Sequence, residues 1–184
     1  MKKKILISAV LAMILVGGGV FAVWYKTKTP IMLPLSTKDA AFSWTFPAVS
    51  AGDASQSDKA KKEIARLEKL FGKEQFSDYE LYISIANQYE LLGDGKKTYE
   101  YLNKAAAAGP NSGLVWYNMA QLMTRLGAYH TAQAAFEKAV HSEFDAVFYH
   151  TAYIEFLKKY LPSDTAALET AERTLREILG ETSE

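Results

Sequence analysis

The side chains that most often carry chemistry are sparse in this sequence. Histidine occurs at His130, His141 and His150, and none stands with a carboxylate or cysteine at metal-ligand spacing. Structural or exposed roles fit them better than ligation. Cysteine is absent, which excludes disulfides, cysteine-based metal sites, a cysteine nucleophile and a lipidated N-terminal cysteine. No phosphate-binding glycine loop appears, because the Gly17–Gly19 run falls inside an apolar segment. No nucleophile elbow or zinc motif appears either. The expectation is no catalytic residue, no cofactor, no metal, and a chain that is not an enzyme. The formal net charge is zero and no basic face stands out, so nucleic acid is not an expected partner. What chemistry remains is that of binding, and it depends on the elements that present it.

The first such element is the run Ile5–Tyr25, which contains no charge. At ~1.5 Å per residue, about 21 helical residues cover roughly 32 Å, enough to cross a hydrocarbon core of about 30 Å. Trp24 and Tyr25 close the run where amphipathic rings prefer the headgroup layer. Lys2, Lys3 and Lys4 precede it and Lys26 and Lys28 follow it. The positive-inside bias then puts residues 1–4 in the cytoplasm and the rest of the chain outside, as a single-pass protein of a bacterial-type inner membrane. The alternative is an exported soluble protein cleaved after the small-residue pattern Val20-Phe21-Ala22.

Residues 26–57 read as a linker. Pro30, Pro34 and Pro47 interrupt it, and AGDASQSD looks flexible. Within it Phe42, Trp44 and Phe46 alternate with small residues, placing three aromatics on one face of a short strand over 42–46. That face either packs on the following domain, rests at the membrane surface, or serves as a docking motif.

The remainder is self-similar. With a shift of 34 residues, Tyr82 falls on Trp116, Ile85 on Met119, Ala86 on Ala120, and Tyr89 on Met123. Leu92-Gly93 falls on Leu126-Gly127, Thr98 on Ala132, Leu102 on Phe136, and Lys104-Ala105 on Lys138-Ala139, without a gap. The spacing of Tyr82, Ile85 and Tyr89 lines one face of a helix. Glycine suits a left-handed C-cap after each first helix, and Pro110 ends the first unit. Ser77 with Glu80 forms a capping box, and Asn111 or Ser112 can cap the next unit. This period and pattern resemble the tetratricopeptide repeat (TPR). The resemblance implies a right-handed solenoid of helix hairpins, so the expected fold is all-α: an N-terminal transmembrane helix and a linker, then the solenoid. The expected organisation is a signal-anchor helix over 5–25, the linker over 26–57, and a flanking helix over 58–74. TPR 1 follows over 79–112 and TPR 2 over 113–146, with a degenerate third repeat and capping helices over 147–180. There the Leu-Gly turn is missing, and Pro162-Ser163-Asp164 caps a last helix bearing Ala171, Leu175 and Ile178.

In such repeats the first helices line a concave surface that often holds a partner's peptide. The resemblance puts Ile83, Asn87, Leu114, Tyr117, Asn118, Gln121 and Arg125 on that surface. Asn87 and Asn118 match the two asparagines of a carboxylate clamp, but its cations are missing: Ile83 replaces the lysine, and Phe148 and Ala152 stand in the third repeat. The groove therefore suits an extended or helical peptide with apolar anchors. The expected function is a membrane-anchored scaffold that binds a partner protein at the cell envelope, or alternatively a self-associating subunit of a membrane complex.

Overall fold

The computed structural model describes residues 33–48 and 54–181. The expected cytoplasmic end and signal-anchor helix lie outside them. Among the described residues no helix is long and apolar enough to cross a membrane.

Seven helices and no strand form the described fold. They are α1 (Ala54–Glu68), α2 (Asp78–Leu91), α3 (Gly95–Ala108), α4 (Gly113–Leu126), α5 (Tyr129–Ser142), α6 (Val147–Tyr160) and α7 (Thr165–Leu179). Each pair α2/α3, α4/α5 and α6/α7 is joined by a short turn and packs together, and each pair also packs on the next through its second helix. The result is an all-α, solenoid-like stack of hairpins with α1 covering its first face.

Local chemistry explains the boundaries. Ser77 Oγ accepts the Glu80 amide at 3.2 Å, and Glu80 accepts the Ser77 amide at 2.8 Å, closing the capping box. Asp94 caps α3 through the Lys97 amide at 2.9 Å, and Asp164 caps α7 through the Ala167 amide at 3.2 Å. Gly93 and Gly127 both take the left-handed backbone, at φ 73° and 79°, which only glycine adopts without strain. Ser112 precedes α4 but does not cap it. Its hydroxyl pairs with Tyr79 at 2.7 Å, and the Gly113 amide instead donates to Glu143 at 2.8 Å.

The small positions of the repeat are the close-packed ones. Ala86, Ala105, Ala120, Ala132, Ala135 and Ala139 are fully buried. Around them Phe136 is the hub, with ring centroids 4.9 Å from Phe156, 5.7 Å from Tyr153 and 6.2 Å from Tyr117. Ile64 and Leu67 of α1 meet Leu81 and Ile85 of α2 in a second, smaller cluster.

Two expectations are corrected. The flanking helix begins at Ala54 and ends at Glu68, not 58–74, because Leu70 and Phe71 turn inward to pack and Gly72 takes φ 75°. The stretch expected to be flexible, AGDASQSD, is helical from Ala54 onward, and the described part of the linker ahead of it packs on the hairpins, as one of the readings of its aromatic face had it. Residues 33–48 form an ordered strap across the hairpin stack. Leu33 is only 2% exposed. Its amide donates to Asn103 Oδ1 at 3.0 Å, and its carbonyl accepts the Tyr99 hydroxyl. The Ser36 amide donates to Thr131 Oγ1 at 2.8 Å. Phe42, Trp44 and Phe46 pack against the main core, with Trp44 5.2 Å from the Tyr99 ring. The expected aromatic strand reduces to one bridge, Thr45 to Asp94, because the segment meets a helix turn and not another strand.

The tightest point of the strap is Asp39. Its side chain is 3% exposed. It accepts from the His130 amide at 2.8 Å, the Thr131 amide at 3.0 Å and the Thr131 hydroxyl at 2.6 Å, with His130 Nδ1 at 3.1 Å. These are the second and third amides of α5, whose own preceding residue, Ala128, has no capping side chain. A carboxylate from elsewhere in the chain thus serves as the N-cap. Burial pushes the Asp39 pKa up, but the Thr131 and His130 hydrogen bonds outweigh it and hold the value below the ordinary 3.8.

Candidate functional site

The first helices of successive pairs meet through side chains: Arg125 of α4 reaches Glu90 of α2 at 3.0 Å, and the Tyr117 ring of α4 lies 5.0 Å from Phe148 of α6. Between α4 and α6 opens a cavity of about 370 Å³. Tyr117, Gln121 and Thr124 line it from α4, and Phe148, Thr151, Ala152, Glu155 and Lys159 from α6. Phe136 of α5 contributes to its lining from behind. Phe148 is 61% exposed, yet its ring sits 5.0 Å from Tyr117 in an edge-on contact. The apolar end is therefore built and open at once. Farther along α6 the lining is mixed, with Thr151, Glu155 and Lys159 beside Phe156 and Tyr160. Burial, and then the negative charge of Glu155, push the Tyr117 hydroxyl above its ordinary pKa of 10.0.

The residues expected on the groove are not all brought together. Tyr117 and Gln121 line the cavity. Leu114, 43% exposed, lies one helical turn before Tyr117, at the start of α4. Asn118 is half-buried on α4 and outside the cavity lining. Asn87 is exposed but belongs to a different hollow, of about 250 Å³, shared by α1 and α2 with Glu63, Arg66 and Glu80. Arg125 is held at the strap end. Its guanidinium meets Glu90 at 3.0 Å and lies 4.9 Å over the Phe46 ring. Ile83 is corrected outright, since at 9% exposed it belongs to the main core. The register position it shares with Tyr117 turns toward the succeeding hairpin. Tyr117 does the same, touching Phe148 and Tyr149.

Of the α6 wall, sequence reasoning reached only Phe148 and Ala152, as third-repeat positions of the groove, and missed Thr151, Glu155 and Lys159, although a signal for them exists. Carrying the 34-residue shift once more maps Leu114 onto Phe148, Tyr117 onto Thr151, Gln121 onto Glu155 and Arg125 onto Lys159. The missing Leu-Gly turn breaks the pattern only after α6 has ended.

The histidines are dispersed. His150 is buried and its Nε2–H donates to the Phe144 carbonyl at 2.8 Å. His130 serves Asp39. His141 lines a second cavity of about 550 Å³ between α5 and α7, beside Phe144 and Tyr153. Among the described residues no three His, Cys, Asp or Glu side chains converge as a metal-binding group.

Fold and site together define an all-helical, repeat-like stack of hairpins with an open cavity between α4 and α6. No family model matches this chain, and no curated protein matches it either.

Proposed function

We propose that this chain is a protein-interaction scaffold of the tetratricopeptide-repeat type, which holds a segment of a partner protein in the cavity between α4 and α6. The observation that carries this is the cavity's composition. Aromatic surface at half-buried Tyr117 and exposed Phe148 adjoins the amide of Gln121 and the hydroxyls of Thr124 and Thr151. Aromatic anchors supply most of the energy of such interfaces, and amides and hydroxyls can pair with a peptide backbone. The charge-free run 5–25 supports a membrane anchor, and the Lys2–Lys4 cluster supports repeats on the extracytoplasmic side. The scaffold then acts at the cell envelope.

The test is a photo-crosslinking amino acid at Thr151, on the cavity wall, and at Lys61, on an exposed position of α1, in the full chain in cells. The expected result is a discrete partner adduct at Thr151 that is absent at Lys61 and lost in Phe148→Ala. Identical adduct patterns at both positions would remove the cavity as the binding site.

A further inference from the structure

We propose that the cavity between α4 and α6 reads a charge pattern: an extended segment with an apolar or aromatic side chain, then a basic one two residues on, then an acidic one two residues further. This rests on the reading of that face as the binding face.

The strip that carries the pattern runs along α6. Phe148 stands at its open end with Tyr117 across from it. Ala152 is the small residue behind them, so a side chain entering there meets Phe136 and Tyr117, not a wall. Glu155 follows one turn on, and Lys159 one turn after that. On a helix, the three residues from Ala152 to Glu155 advance ~4.5 Å and the four from Glu155 to Lys159 ~6 Å. In an extended chain, alternate residues lie on one side and are ~6.6 Å apart. Three successive same-side side chains of a bound segment therefore overrun the strip from Ala152 to Lys159 by about 3 Å, a difference that the long side chains of Glu155 and Lys159 can span.

The charges of the strip are available. Among the described residues Glu155 makes no hydrogen bond or ion pair, and Lys159 rests only over the Tyr160 ring at 5.0 Å. Neighbouring charges are committed elsewhere. Lys158 pairs with Glu172 at 2.7 Å, and Arg125 pairs with Glu90 at 3.0 Å. Glu155 thus offers a carboxylate to a basic side chain, and the aromatic rings lining the cavity beside it add a cation–π surface. Lys159 offers its ammonium to an acid. The reverse order would set like charges against each other at both places, which gives selectivity as well as attraction.

The experiment uses the purified full chain in mild detergent and two labelled peptides, read by fluorescence anisotropy. Both carry Phe at the first of three alternate positions in a Gly-Ser background. One continues with Lys then Glu, the other with Glu then Lys. The expected preference for the Lys-then-Glu peptide is about fivefold at low salt, from two exposed ion pairs of modest strength, and it shrinks as salt rises. The double variant Glu155→Lys, Lys159→Glu reverses the preference. Equal affinities, or a preference unchanged in the double variant, overturn the charge pattern. If binding is then still lost in Phe148→Ala at an unchanged thermal midpoint, the binding face stands without the pattern. If neither peptide binds, or binding survives Phe148→Ala, the binding face falls with it.

Discussion

Replacing Asp39 tests whether the strap is part of the fold or rests on it. Asp39→Ala removes an acceptor from two backbone amides and from the hydroxyl of Thr131, a fully buried residue. Loss of an N-cap costs ~0.5–2 kcal/mol, and a hydrogen bond to a charged group is worth ~1.5–3 kcal/mol. These contributions overlap, because the cap and the charge-assisted bonds are the same contacts. About 3 kcal/mol is the expected loss in urea unfolding of the full chain. Asp39→Asn keeps one acceptor oxygen but turns an NH2 toward a donor, and about 2 kcal/mol is expected. The loss should be local first: amide exchange at Ser36 and Leu33 accelerates before exchange in α4. The pH dependence follows in sign. Folding holds the Asp39 pKa below 3.8, so its contribution is complete above about pH 5 and fades as pH falls through the folded value. Asp39→Asn should flatten that acid limb. A loss under about 0.5 kcal/mol, the scatter of ordinary surface substitutions, with Ser36 exchange unchanged, would refute the capping argument.

Two glycines in the same left-handed conformation should respond differently. A Cβ on Gly93 would come within 2.4 Å of the Phe46 carbonyl, whereas one on Gly127 meets nothing within 4 Å. Gly127→Ala should cost ~1 kcal/mol, and Gly93→Ala clearly more, with quenching changes at Trp44 reporting the displaced strap; equal costs by chemical denaturation would contradict the close approach. Ala120→Leu and Ala132→Leu each force volume into a site with no exposure and should cost ~1–3 kcal/mol, read as a lowered urea midpoint. Unchanged midpoints would mean the helix register is wrong.

The repeat was legible because its signals are local and recur. The glycine turns, the alanines that allow close approach and the Ser77 box each lie within a few residues of what they control. The strap was not legible for the opposite reason. Asp39 and Thr131 are 92 positions apart, and no period relates them. One hint was present: Ala128 stands where α5 needs a capping side chain, which says that a partner must come from elsewhere without saying from where. The site was half legible. Tyr117 and Gln121 followed from the register, but the α6 wall required extending that register into a repeat whose turn motif has decayed. Ile83 failed because a pattern marks one side of a helix, and the neighbouring hairpin decides whether that side meets solvent.

The strap also decides how the molecule would bear load. Leu33 is gripped at its amide, its carbonyl and its side chain by α3. A pull applied to the chain ahead of Leu33 therefore enters at α3, inside the stack, and not at α1. Because the strap is held at separate points along its length, tension meets them one at a time. Leu33 gives way first, then Ser36, then Asp39, then the Thr45 and Phe46 contacts, as a strip of tape peels from one end. Peeling needs far less force than shearing all the contacts together, so the helices should stay folded while the strap lets go. Fully released, its 16 residues, 33–48, would extend by up to roughly 50 Å at ~3.3 Å each. A pull of that kind would then lengthen this segment before it loads the hairpins behind it.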